Sequence, residues 1–227
     1  MPAPTRRAKA GIAGRRLKLQ RCLDGPMAVG EAAHRKGEDG ARRAKKWLDA
    51  TTRVRASWTN EGDVIASRLS FAWPFGGQPF SFDLGGLLKG GEYENHHFMA
   101  EVKAYDAAQD QGTHYDDWLA KCYVVMGLQP EWANHLMWIT WSPFRITDWP
   151  KLMTADYVER ALLVDRNKKR VFDADKDVDV SDKIDRNLCQ QVADRLWLIV
   201  LSTKQESLVI SAEHRGWLHM REIQEES

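Results

Sequence analysis

Apolar residues recur at helical spacing in the stretch GEDGARRAKKWLDA, where Ala41, Ala44, Trp47 and Leu48 share one face and predict a first helix over about residues 38–50. The segments TRVRASW and VIASRLSFAW lean towards extended structure, and PFGGQPF reads as a turn after them. Residues 81–106, SFDLGGLLKGGEYENHHFMAEVKAYD, hold two apolar stretches around a glycine-rich middle, the pattern of a β-hairpin with KGGEYEN as its loop. Beyond it, AAQDQGTHYDDWLAKCYVVMG predicts a helix stopped by Gly127, HLMWITW a short buried strand, and TADYVERALL another helix. The remainder predicts a polar loop over DADKDVDVSD, a long helix from about Lys183 into VADRLWLIVL, and a mixed tail. Helix, strands, helix, strand is an α/β succession, followed here by a mostly helical C-terminal extension.

Within the hairpin, alternation places Phe80, Phe82 and Leu84 on one face and Ser81, Asp83 and Gly85 on the other. On the returning strand Phe98, Ala100 and Val102 are apolar, while Met99, Glu101 and Lys103 point the opposite way. A loop centred on residue 92 sets Asp83 opposite Glu101. Facing like charges cost about 0.2 to 1 kcal/mol, so the pair needs compensation. Lys103 can neutralise one carboxylate, which makes a half-exposed hairpin with a cross-strand salt bridge. A hard divalent cation with oxygen ligands neutralises both and leaves room for phosphate oxygens. Lys103 is the only lysine of the chain with an acid two positions before it.

Composition narrows the class. A chain of 227 residues with 43% hydrophobic and 29% charged residues forms one sizeable domain or a domain with an extension. No apolar run approaches the ~20 residues of a membrane helix. The N-terminus lacks a secretory core, and cysteines at 22, 122 and 189 make neither a disulfide framework nor a metal knuckle. A soluble cytoplasmic protein without membrane contact is expected. The net charge of +1 conceals a sorted distribution, since residues 1–58 carry 15 Lys or Arg against 5 Asp or Glu, leaving 18 against 27 for the rest. A basic N-terminal quarter fits a polyanion partner, or a solvated arm and helix face. Arg42, Arg43, Lys45 and Lys46 of the first helix are placed to track a phosphate backbone. Motifs for zinc proteolysis, serine hydrolysis and P-loop nucleotide hydrolysis are absent from the sequence. Trp132, Trp138, Trp141 and Trp149 either stack on unpaired bases or fill the core, and alternation favours the core for Trp138. His97 shares the Glu101 face, as a phosphate contact or as a solvated loop residue.

These residues resemble the PD-(D/E)XK nuclease superfamily, whose signature is an acid ending one strand and D/E-x-K on the next, with a helix before and after. Asp83 matches the first acid, Glu101 the second and Lys103 the lysine, with Phe82 standing where proline is usual. Glu38 opens the first helix in KGEDGARRAKKWL, and QGTHY supplies Gln111 and Tyr115, similar to the Q-x-x-x-Y element of the RecB-like branch. The resemblance covers roughly residues 37–142. It implies a restriction-endonuclease-like core over residues 37–145, with a basic arm at 1–36 and an extension at 146–227 packed on the core. It further implies Mg²⁺- or Mn²⁺-dependent hydrolysis of phosphodiester bonds, of DNA in the first instance. Asp83, Glu101, the Val102 carbonyl and Glu38 are then the metal ligands, Glu38 serving alternatively as a helix cap. Lys103 orients or deprotonates the attacking water, Gln111 positions the water or the lysine, and Tyr115 contacts the nucleic-acid backbone. By analogy with small members of the superfamily, the expected setting is the effector of a bacterial phage-defence or restriction system, with a partner protein or a second copy of the chain. The alternative is an inactive nucleic-acid-binding or scaffold subunit on the same fold.

Overall fold

The computed structural model describes residues 31–61, 63–104 and 110–226. The first helix, α1 (Glu31–Asp49), turns into strand β1 (Val54–Thr59) through a loop in which the Thr51 hydroxyl donates to the Leu48 carbonyl at 2.7 Å. Then come α2 (Asp63–Leu69), β2 (Ser70–Phe71), β3 (Phe80–Ser81), β4 (Leu84–Leu88) and β5 (His97–Lys103). Helix α3 (Gln111–Leu128) and strand β6 (His135–Thr140) follow. The C-terminal part holds α4 (Ala155–Leu162), α5 (Asp165–Phe172), α6 (Arg186–Ala193), β7 (Leu196–Val200), α7 (Thr203–Glu206) and α8 (Ala212–Glu226).

Five strands form one mixed sheet in the order β1-β4-β5-β6-β7. The β1/β4 and β4/β5 pairs are antiparallel, whereas β5/β6 and β6/β7 are parallel. Strand alternation divides β5 between two cores. Phe98, Ala100 and Val102 pack with Leu84, Met137, Ile139 and the Ala41, Ala44 and Leu48 stripe of α1. Met99, on the other face, joins Leu136, Trp138, Tyr115, Trp118 and the α4–α6 side chains Tyr157, Val158 and Val192. The sheet is therefore covered on both faces, as its parallel half requires. Gly86 of β4 makes this possible locally: a methyl group there would stand 2.3 Å from the Phe98 ring and 2.5 Å from the Ala56 carbonyl.

Three expectations are corrected. VIASRLSFAW is the helix α2 and a two-residue strand rather than an extended segment; its consecutive Val64, Ile65 and Ala66 give no two-residue alternation, and Val64 is exposed. Phe80 and Phe82 do not share the Leu84 face, because the chain changes sheets between them: β3 pairs with β2, Phe82 N–H donates to the Leu69 carbonyl, and Asp83 N–H donates to the Ala100 carbonyl. Both rings consequently enter the α3-side core. Finally, the long helix expected from Lys183 stops at Ala193. Asp185 caps α6 by accepting from the Asn187 and Leu188 N–H groups, and the run LWLIV that follows is a parallel strand of continuous apolar residues. The C-terminal extension thus supplies an edge strand of the sheet and much of one core. Among the described residues no helix is long and apolar enough to cross a membrane.

Candidate active site

The β4/β5 ladder pairs Leu84 with Ala100, Gly85 with Met99 and Gly86 with Phe98, so one further step sets Asp83 opposite Glu101. Asp83 sits where β4 begins. Its carbonyl accepts from the Asn60 N–H at 3.1 Å, and its Oδ2 accepts from the Val102 N–H at 2.7 Å. N–H and C=O of one residue leave the same edge of an extended strand, so the Val102 carbonyl also lies on the edge facing Asp83.

Glu101 is buried, with 6% of its surface exposed. Its Oε1 accepts from Lys103 Nζ at 2.8 Å, and Lys121 Nζ donates to Oε2 at 2.9 Å and to Oε1 at 3.1 Å. Lys121, from α3, also reaches the Ser81 carbonyl at 3.3 Å. Four charges of alternating sign thereby meet at the C-terminal end of β5. They are not equally compensated. Burial pushes the Asp83 carboxyl up, and the Glu101 charge adds to that rise against the weaker pull of Lys103, the Val102 N–H and Lys121. Burial acts the same way on Glu101, but there the Lys103 and Lys121 ammonium groups outweigh it and hold the carboxyl below the usual range.

Gln111 opens α3 directly behind this cluster. It is fully buried, and its Oε1 accepts from the Thr140 hydroxyl at 2.9 Å, a hydroxyl that also lies 3.1 Å from the Lys103 carbonyl. Its Nε2 has no partner among the described residues. Tyr115 is placed otherwise than the sequence reading has it. Its ring is buried among Trp118, Trp138 and Phe144, and its hydroxyl donates to the Leu152 carbonyl at 2.9 Å, so it is a core residue without access to a nucleic-acid backbone. One turn of helix carries Gln111 to the sheet end and the next directs Tyr115 into the core.

Glu38 lies on α1, across the sheet from the Glu101 face, and pairs with Arg42 at 3.7 Å. The basic residues of α1 are engaged as well. Arg42 pairs with Asp39 at 3.0 Å, Lys45 with Asp49 at 2.5 Å, and Arg43 is bidentate to Glu206 at 2.9 and 2.7 Å; Lys46 is exposed. His97 stands at the opposite end of β5, stacked on Trp132 at 4.8 Å, so it shares a face with Glu101 but not a site.

Lys121 is the residue that sequence reading missed. Its signal is a lysine inside the uninterrupted run from Trp118 to Met126, where every other residue is buried. Asp117, one turn before it, is raised by burial against the pull of Arg166, with which it forms an ion pair.

A divalent cation fits this donor set. Two carboxylates and a strand-edge carbonyl are hard oxygen ligands, and Mg²⁺ is commonly held by one or two carboxylates with waters completing the shell. The described residues contain no group of three or more His, Cys, Asp or Glu side chains arranged for a metal. Comparison with protein-family models, with curated proteins and with solved structures finds no match to the chain.

Proposed function

We propose that the protein is a metal-dependent nuclease of the PD-(D/E)XK type that hydrolyses phosphodiester bonds, with DNA as the first substrate class. The observation that carries this reading is the meeting of Asp83 and Glu101 across adjacent strands, with Lys103 two residues along and Asp83 left short of positive charge. The succession α1, antiparallel β1, β4 and β5, then α3 and parallel β6 supports it, since this is the order of elements that the resemblance implies.

When bound, a divalent cation polarises the phosphoryl oxygen and lowers the pKa of a coordinated water. Asp83, Glu101 and the Val102 carbonyl would hold the ion. Lys103 would orient the attacking water and offset charge growing on phosphorus, a role worth about 10²- to 10⁴-fold for a positioned proton-transfer group. Lys121 fixes the Glu101 carboxylate from the helix side. Gln111, through Thr140, fixes the end of the strand that carries Lys103.

A second reading is favoured by the Glu101 contacts themselves. Both its oxygens already carry lysine partners, so the four charges also serve a closed ion-pair network in a binding or scaffold subunit. One assay separates the two. Plasmid and short duplex or single-stranded DNA and RNA are incubated with the protein and Mg²⁺, Mn²⁺ or EDTA, beside Glu101→Ala and Lys103→Ala. Metal-dependent cutting lost in both variants supports the nuclease; nucleic-acid binding with no cutting under any metal supports the second reading.

A further inference from the structure

The last described segment of the chain is attached in an unusual way. From Ser202 to Glu225 no side chain is buried, and Leu201 is the final member of either core. Two ion pairs tie the segment down instead. Glu206 of α7 takes the Arg43 guanidinium through both oxygens, and Glu222 of α8 takes Lys89 Nζ at 2.6 and 2.5 Å. Open clefts of about 470 and 340 Å³ lie beneath it, one bordered by Lys45, Arg55, Lys89 and Glu222, the other by Arg43, Lys46 and Glu206. A segment with no fully buried side chain and two ion pairs to the sheet is salt-labile and competes with any stronger anion.

What it covers is basic and lies on the α1 face of the sheet, across from Glu101. Arg43 stacks over Trp141 at 4.4 Å, just beyond the C-terminal end of β6, the end of the sheet at which Lys103 lies. Lys89 follows the opposite end of β4. The two anchors thus mark the ends of the sheet on its α1 face, roughly 20 Å apart for strands of this length. The bidentate carboxylate on Arg43 has the geometry that a guanidinium offers a phosphate.

We propose that the face bearing Arg43, Lys46 and Lys89 binds the phosphate backbone of a nucleic acid, and that Glu206 and Glu222 occupy phosphate positions until the polyanion displaces them. The inference rests on the nucleic-acid part of the reading above and adds where the backbone runs and what guards it. It also accounts for a basic α1 whose charges are paired within the chain.

The test is anisotropy of a labelled DNA duplex in EDTA at several salt concentrations. Releasing two surface ion pairs predicts that Glu206→Gln/Glu222→Gln binds between about twofold and thirtyfold more tightly than the parent protein. Adding Arg43→Ala and Lys89→Ala removes the gain and reduces the slope of log affinity against log salt by about 2. Equal affinity of parent and double variant, no binding by either, or a gain that survives loss of Arg43 and Lys89 overturns the proposal. A measurement on the unaltered chain guards against misfolded variants: duplex DNA speeds tryptic cleavage after Lys204 and Arg215, and an unchanged rate contradicts displacement. Because binding is read in EDTA, failure to cut in Mg²⁺ sinks the nuclease reading while leaving this one standing, and the converse holds.

Discussion

The two ends of strands β5 and β6 carry two polar clusters of opposite character. At the C-terminal end stand Asp83, Glu101, Lys103 and Lys121, all charged and one of them poorly compensated. At the N-terminal end, Trp197 Nε1 donates to His135 Nδ1 at 3.1 Å, and His135 Nε2 lies 3.1 Å from His96 Nδ1. With Nδ1 accepting, neutral His135 carries its proton on Nε2 and donates it to His96. Burial, His96 and Arg195 depress His135 to about 4, so its ring is neutral, with both nitrogens partnered. The same pair of strands thus ends in tension on one side and in balance on the other. Buried charge that the fold leaves uncompensated is the mark of a site; a closed neutral network is the mark of packing.

The sharpest way to break that contrast is at Glu101. Glu101→Ala removes the carboxylate that both Lys103 and Lys121 contact, with 17% and 16% of their side chains exposed, and leaves Asp83 as the remaining acid of the cluster. A loss of about 3 kcal/mol is expected, read by denaturant unfolding. Asp83→Asn has the opposite sign. The folded-state carboxyl is raised, so between its ordinary value near ~3.9 and the raised one the folded protein keeps a proton that the unfolded chain releases, and stability falls as pH rises. Without divalent metal, the asparagine variant is expected to match the parent at about pH 4 and to exceed it by about 1 kcal/mol at neutrality. A variant less stable than the parent at neutral pH removes the claim of tension. The smallest effect belongs to the histidine end, where the sign reverses again. His135 is depressed in the folded state, so its contribution is present above ~6.5 and is lost as pH falls towards about 4. His135→Gln costs about 0.5 to 1 kcal/mol at neutral pH and flattens the acid side of the stability profile, measured by thermal melts across pH.

Much of the site was legible because hairpin register follows from loop length and alternation, and the acid pair with its lysine sits on that register. Elements whose apolar pattern has one clear period were legible too: the α1 stripe at Ala41, Ala44 and Leu48, and the alternating β6. The rest failed where period and phase break. Phe82 belongs to a different face from Leu84 because the chain crosses between sheets at Asp83, which no local pattern records. The run LWLIV is equally apolar as helix or strand, and only its parallel partner β6 decides for strand. Lys121 and Tyr115 were missed or misplaced for one reason: which face of a helix meets the site depends on how α3 lies against the sheet. Gln111 and Tyr115 are four residues apart, yet one reaches the strand end and the other the core.

The central claim is tested most directly by Mn²⁺ binding in the presence of a DNA duplex, followed by the electron-spin signal of the ion, for the parent protein, Asp83→Asn and Glu101→Gln. A bound Mn²⁺ signal in the parent that weakens at least about tenfold in both variants is the expected result. No bound ion in the parent, or binding that persists undiminished without either carboxylate, contradicts a metal centre at the end of β5.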